Sequence, residues 1–539
     1  MRKTALHVTA LVAIAAGIVP RGASALTGSS SCSSSQIIPG KTAVLHHPTI
    51  NLIFWGSGWG SLGTTVAKLI AQTQDMISGA YYSSLTQYYG IRPPRLGAQV
   101  AWYTGTDPSK GFYETAADGK PNIDDTIVAA MTAGTVPLVS PGDTDNLYVV
   151  FVPPGVRSLD YTFGGHHGTW QVNNVWFPFA WVTDSSDYMA NLSHETVEAI
   201  SDPDLGGTGT YTNCPGGENE IADVCNITET QRGYNVVGYW SGKDNECVIP
   251  ESYSAIYQFN ANAFQSISAQ AQKVFPGYLN GSPVVVATDL SDNIWMATGS
   301  PPNWGTGPIG GSGGAMFAVG NDSVYALSRD GLEVFRWNGL GTTSWTNIGL
   351  PSNAIVTGIS GGAYPAATDM NGKVWTWSNS SSSWKAVAGT SNEVSQITEN
   401  GVSLELLSRS YSTVWQYQGS GLTDLQLFAY SELATGGGSN TMLAAALFTN
   451  TTPTLAVRTG SSWVNPGIPS FSVPSGYPQV DTFVVGGNSL YAFSGDHQTV
   501  ARANNPSVSG AGWTNLTTVP LTRLYGQTSV LIATGPVGY

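Results

Sequence analysis

A hydrophobic–aromatic pair that returns about every 40 residues through the second half constrains this chain more than any other feature. Ile294-Trp295, Val334-Phe335, Val374-Trp375 and Val414-Trp415 follow one another at that spacing, and Val457 and Val500 continue the series with slight drift. Several are followed by a second aromatic in a Ser-Trp or Gly-Trp pair: Ser344-Trp345, Ser383-Trp384, Ser462-Trp463 and Gly512-Trp513. Helical signals are scarce beyond about residue 283. A period near 40 with about four short strands per unit predicts a β-propeller, because one unit cannot cover its own faces and must stack on neighbours. Six repeats are countable, and a seventh closed jointly by both ends of the region fits the same scheme. A pair of β-sandwiches would not explain so regular a spacing.

The remaining residues of this 539-residue chain require at least one further domain. Only 10% of residues are charged, against about 25% in average soluble proteins. The net charge of −14 gives no electrostatic reason to seek nucleic acid or anionic membrane. Met1-Arg2-Lys3, the apolar run Ala5 to Val19 and Ala23-Ser24-Ala25 read as a signal peptide cut before Leu26, so a secreted protein is expected. No later stretch reaches the length of a membrane span. Cys32, Cys214, Cys225 and Cys247 suggest two disulfides, with Cys225–Cys247 and Cys32–Cys214 favoured among three connectivities.

Before the propeller, apolar runs alternate with helical periodicity. Ile50 to Gly56, Leu147 to Val152 and Phe177 to Val182 read as strands. Thr64 to Ser78, continued by Tyr81 to Tyr89, and Ile123 to Ala133 read as helices, and Tyr253 to Val274 as a closing helix. The fold class expected is therefore an α/β (α+β) metallopeptidase-like domain followed by an all-β propeller of six or seven blades. The expected boundaries are signal peptide 1–25, leader 26–40, α/β domain 41–277 and propeller 278–539, with Pro276-Gly277 and Gly281-Ser282-Pro283 as linker.

Ser193-His194-Glu195-Thr196-Val197-Glu198 carries the chemistry. His194 and Glu198 are four apart, so one helix face presents both to a single ion, and Glu195 beside them could hold or deprotonate a bound water. This is the arithmetic of the zinc-protease helix His-Glu-x-x-His with a carboxylate in the last place. Asn219-Glu220-x-x-Asp223 downstream offers Glu220 as third ligand and Asp223 as the carboxylate that orients a ligand histidine. A glycine-flanked loop offers His166 and His167, and Asp202 and Asp204 are further candidates. A His/Glu/Glu set suits Zn2+ and leaves Mn2+ or Ca2+ in play. The competing reading is an ordinary polar helix face.

Residues from about 45 to 250 resemble the secreted EXORDIUM / phosphate-induced protein family. The resemblance rests on Ile50 to Gly56, Tyr82 to Gly90, Gly165-His166-His167-Gly168, and Ser193-His194-Glu195-x-x-Glu198 with Glu220 to Cys225. It implies an extracellular protein built around this His/Glu cluster, with His167 as the matching loop histidine. The second half resembles tectonin-type or lectin-like propellers. Two functions are expected from these readings. One is a secreted metal-dependent hydrolase, a peptidase, with Glu195 as base and His167 near the reacting carbonyl. The other is a non-catalytic cell-surface or carbohydrate-binding protein whose cluster holds a structural metal or only hydrogen bonds. The expected partner is an extracellular protein or polysaccharide, and a monomer is expected.

Overall fold

The computed structural model describes residues 37–38 and, apart from short gaps, 44–535; the longest gaps are 204–209 and 212–219. The expected signal peptide and the Cys32–Cys214 pairing lie outside the described residues. Among the described residues the protein is nearly all β, with three α-helices. Seven four-stranded antiparallel sheets form a seven-bladed propeller. In the first six blades the first strand in sequence is innermost, and neighbouring blades touch through these inner strands.

Closure explains one misreading. The seventh blade takes its two inner strands from Arg523–Tyr525 and Ile532–Gly535, and its two outer strands from Tyr253–Asn260 and Ala263–Ala271. The expected closing helix is thus a pair of strands. Ile256, Gln258 and Phe259 are buried beside the returning C-terminal strand, and a register shift between Ile256 and Tyr257 in the pairing with Ala263–Ala271 blurs the two-residue alternation. The expected linker is not a linker either. Pro276 and Gly277 lie inside Lys273–Leu279, the inner strand of blade 1, and Gly277 packs so closely that a Cβ would stand 2.5 Å from Val319.

The recurrent tryptophans fasten one blade to its neighbour. Indole N–H groups of Trp304, Trp345, Trp384, Trp463 and Trp513 donate to the carbonyls of Ile267, Ile309, Gly349, Leu425 and Gly467, at 2.9–3.2 Å. Each acceptor lies 35 to 46 residues earlier, in the strand or loop beside the preceding blade. A half-buried indole needs a partner for its N–H, and here the partner sets the stacking.

Residues 44–250 form a cap. Its sheet has the order β2-β1-β3-β5-β4, with β1 Thr49–Trp55, β2 Arg95–Trp102, β3 Asn146–Phe151, β4 Gly165–Val172 and β5 Val175–Val182. Strands β1, β2, β3 and β5 are parallel, and β4 runs antiparallel along the edge. Helices α1 (Gly63–Ser78), α2 (Ile123–Thr132) and α3 (Tyr188–Ser201) cover it. The 3-10 turn Tyr81–Gln87 replaces the expected continuation of α1.

The expected separate α/β metallopeptidase-like domain is overturned by these contacts. The cap sits on the propeller face where inner strands begin, and its main core includes Met370 of blade 3. Lys273, which begins the inner strand of blade 1, binds Asp75 of α1. Glu432, Val480 and Arg523, which begin three other inner strands, bind Arg92, His47 and the Ile77 carbonyl. Buried charges and an apolar core crossing the junction make the two parts one packed body rather than linked modules.

Candidate functional site

Helix α3 carries three of the predicted residues, and its start is fixed locally. Asp187 caps it by accepting from the amides of Met189 (2.7 Å) and Ala190 (3.3 Å). Asn191 donates to the carbonyls of Gly164 (3.2 Å) and Thr183 (2.9 Å), tying α3 to the start of β4 and the end of β5. Glycine permits that approach. A Cβ on Gly165 would stand 2.6 Å from Glu195 Oε1, and one on Gly164 would stand 2.5 Å from Asn191. The glycine-flanked histidines are therefore not in a loop but on edge strand β4, where alternation sends His167 toward α3 and His166 to the opposite face.

His167 is 1% exposed and lies among three carboxylates. Its Nδ1 is 3.4 Å from Glu195 Oε2 and 3.7 Å from Glu198 Oε2, and its Nε2 is 3.0 Å from Glu220 Oε1. The same Nε2 is 3.3 Å from the Asp202 carbonyl. His194 Nε2 lies 3.1 Å from Glu198 Oε2 and 3.2 Å from Asp223 Oδ1. Glu198, 2% exposed, thus stands between both imidazoles, and its Oε1 accepts the Asp223 amide at 3.0 Å. The disulfide Cys225–Cys247, as expected, closes the segment that follows Asp223.

These neighbours set the proton affinities. Burial pushes Glu198 up to about 8, against the opposing pull of His194. Burial also works against charge on His167, but the adjacent carboxylates of Glu195 and Glu220 outweigh it and hold the imidazole well above its ordinary value. His194 is raised in the same way, with burial overcome by Glu198 and Asp223. Carboxyl groups outnumber imidazoles four to two here, so even with both histidines protonated the group carries an excess of acid.

Two overlapping trios have the spacing for a cation, with ligand atoms all within 4.8 Å of one another: His194, Glu198 and Asp223, and His167, Glu195 and Glu198. Beside these trios stands one further acceptor, outside both of them. Glu220 Oε1 is buried and makes no hydrogen bond of good geometry despite its closeness to His167. The donor set of imidazole and carboxylate suits zinc or manganese.

All six predicted residues meet, with partners exchanged. Glu220 faces His167 instead of His194, and Asp223 touches the same nitrogen of His194 that faces Glu198. Asp223 thus stands beside Glu198 on one nitrogen of His194, not behind the imidazole on its other nitrogen. His166 goes elsewhere: its Nδ1 is 2.6 Å from Glu114 Oε2, which also accepts from Trp181 Nε1 at 2.8 Å. Glu114 carried no motif, and no sequence signal would have found it. Asp204 lies outside the described residues.

No protein-family profile matches the chain, and no curated protein is similar to it. Among solved structures it is similar to the WD40 ectodomain of the Arabidopsis thaliana receptor kinase ACR4, at 12% identity and TM-score 0.32, covering 47% of this chain and 89% of that one. It is also similar to the six-bladed propeller lectin of Aleuria aurantia, described with a fucose recognition mode, at 17% identity and TM-score 0.28, covering 49% and 95%. A third likeness is to SapL1 lectin in complex with alpha methyl fucoside, at 15% identity and TM-score 0.30, covering 46% and 96%.

Proposed function

We propose that this is an extracellular binding protein in which the propeller is the recognition module and the cap carries a divalent-cation site. One observation carries the reading: His194, Glu198 and Asp223 converge on a common point, with Glu198 buried and shared with His167. A divalent cation there would replace the protons held between these groups and bind the chain around Glu220 and Asp223 to α3. The Cys225–Cys247 disulfide is compatible with an oxidising, extracellular setting. No helix among the described residues is long and apolar enough to cross a membrane. The recognised partner would be a carbohydrate or a protein of the cell exterior.

Metal analysis of the purified protein tests this. Stoichiometric zinc or manganese is expected in the parent chain and is expected to be lost in Glu198→Ala and His194→Ala. A folded parent chain that takes up no divalent cation would overturn the site.

A second reading, a metal-dependent hydrolase, is favoured by one feature alone. Glu195 is buried beside the cluster and within 3.4 Å of His167. It requires hydrolysis of a protein or polysaccharide that Glu195→Gln abolishes while metal content is unchanged. An inert parent chain with its metal bound leaves the non-catalytic reading.

A further inference from the structure

Between blades 1 and 2, next to the cap, a cavity of about 460 Å³ is lined by Ile294, Phe335 and Trp345 together with Ser328, Arg329 and Asp330. Nothing in the cation site or in the blade-to-blade clasps requires it. Its volume falls within the range of small-molecule sites. We propose that it binds a neutral sugar ring, a deepening of the binding-protein reading on which it rests.

Glycines open the space. A Cβ on Gly311 or Gly313 would meet nothing closer than 3.8 or 3.5 Å, so their bareness is not demanded by packing and leaves the cavity accessible. Gly310 and Gly314 differ, because a Cβ there would stand 2.6 Å from Trp345 Nε1 and 2.5 Å from the Leu327 carbonyl. These two close approaches bring the loop against the cavity wall. The indole N–H of Trp345 is held by the Ile309 carbonyl at 3.1 Å, so its ring is fixed.

The polar rim is fixed as well. Arg329 is anchored to Asp292, and its Nε, buried, makes no hydrogen bond. Asp330 Oδ1 accepts from Ser328 Oγ at 2.6 Å and from the Leu332 amide at 3.1 Å, which holds the turn. The cap clamps the same turn: Gly331, at φ +69°, lies so close to α1 that a Cβ would stand 2.6 Å from the Ala67 carbonyl. A rigid site binds without the cost of ordering its loops.

The chemistry selects the ligand class. Two aromatic walls suit the C–H face of a pyranose, while a guanidinium and a carboxylate side by side donate to and accept from neighbouring hydroxyls. Arg329 is paired with Asp292, and Asp330 adds a second acid to the lining, so an anionic ligand gains nothing at this rim. An extended peptide would need a groove with free backbone partners.

Titration of the full chain with a panel of neutral hexoses, deoxyhexoses and N-acetylhexosamines, read by tryptophan fluorescence and calorimetry, tests the inference. Saturable binding of at least one sugar is expected. Trp345→Ala and Asp330→Asn should each weaken it at least tenfold, while Trp463→Ala, in blade 5, should leave it unchanged. Melting curves identify any variant that unfolds, and Asp330→Asn keeps the turn's acceptor if Trp345→Ala does. Sugar binding that survives both substitutions would overturn this cavity and leave the binding-protein reading standing. Absence of any sugar binding, or binding of a peptide at this cavity instead, would overturn the inference, while the metal analysis decides the cap separately.

Discussion

Lys273, the first residue of the innermost strand of blade 1, buries its ammonium group against Asp75 of helix α1 in the cap. Both side chains are fully buried. Asp75 is also bound by Arg232 Nε at 2.6 Å and by the Tyr234 hydroxyl at 2.8 Å. Burial alone would raise its pKa, but Arg232 and Lys273 hold it well below the ordinary carboxylate range. A single carboxylate is therefore shared by one cation from the cap and one from the propeller. Lys273 further donates to the carbonyls of Gly314 (2.5 Å) and Ala315 (3.3 Å), where blade 2 begins.

Removing Asp75 should consequently be worse than removing Lys273. Asp75→Ala leaves two buried cations without their partner and is expected to cost about 3–5 kcal/mol. Lys273→Met leaves the Asp75–Arg232 pair intact and should cost less. Chemical denaturation of the three proteins gives the order, and equal losses would contradict it. Because the Asp75 pKa is depressed on folding, its stabilisation is present above the unfolded value of 3.8 and is lost as pH falls below it.

Glu399 and Glu405 predict the opposite pH dependence. Both lie in blade 4, and burial pushes each up to about 7. The folded chain then keeps a proton that the unfolded chain, with a value of 4.5, gives up. Their contribution is fully present below about pH 4.5, declines as pH rises, and becomes a penalty of about 3 kcal/mol for each group above about pH 7. In Glu405→Gln this decline should shrink, since an amide can still accept from Ser403 and Gln416, which now donate at 2.9 Å. Denaturation at about pH 5 and about pH 7 measures the slope. An unchanged slope would contradict the assignment.

Truncation tests the closure of the ring. A chain of residues 278–539 lacks both outer strands of blade 7 and most of the inner strand of blade 1, and should be insoluble or unfolded. Residues 250–539 retain all seven blades yet expose the face covered by the cap, with Lys273 and Glu432 deprived of their oppositely charged partners Asp75 and Arg92. It should fold with β-type circular dichroism but at a lower melting temperature than the full chain. A stable, soluble 278–539 would refute the closure.

Loss of the Cys225–Cys247 disulfide should act on stability and on the cation together. The bridge spans 22 residues and should contribute about 3 kcal/mol. It follows Asp223 directly, so Cys247→Ser should also loosen the Glu220–Asp223 segment and weaken divalent-cation affinity. Calorimetric metal titration alongside thermal melts checks both, and a lower melting temperature with unaltered affinity would separate the bridge from the site.

Gly165→Ala probes the site without touching a ligand atom. The added Cβ collides with Glu195, whose carboxylate must move away from His167. Calorimetric metal titration should show affinity retained at His194, Glu198 and Asp223 while the full chain melts at a lower temperature, and a loss of affinity would place Glu195 among the ligands.

What the sequence determined was periodic or local. The return of Val-Trp and Ser-Trp pairs specified stacked four-stranded units, because a fixed period forces each unit into the same surroundings. Helical spacing placed His194 against Glu198, and the cap strands at Ile50 to Trp55 and Leu147 to Phe151 were legible as buried apolar runs. The tertiary structure decided the rest. Tyr253 to Ala271 is strand because the C-terminal strand returns to pair with it, a partner more than 260 residues away that no window of sequence contains. Whether Glu220 or Asp223 reaches His194 depends on the path of a chain arriving from outside α3, so spacing along the sequence could not choose between them. The cap is part of the propeller body for the same reason: Asp75 meets Lys273 only after both have folded, and burial then makes their separation costly.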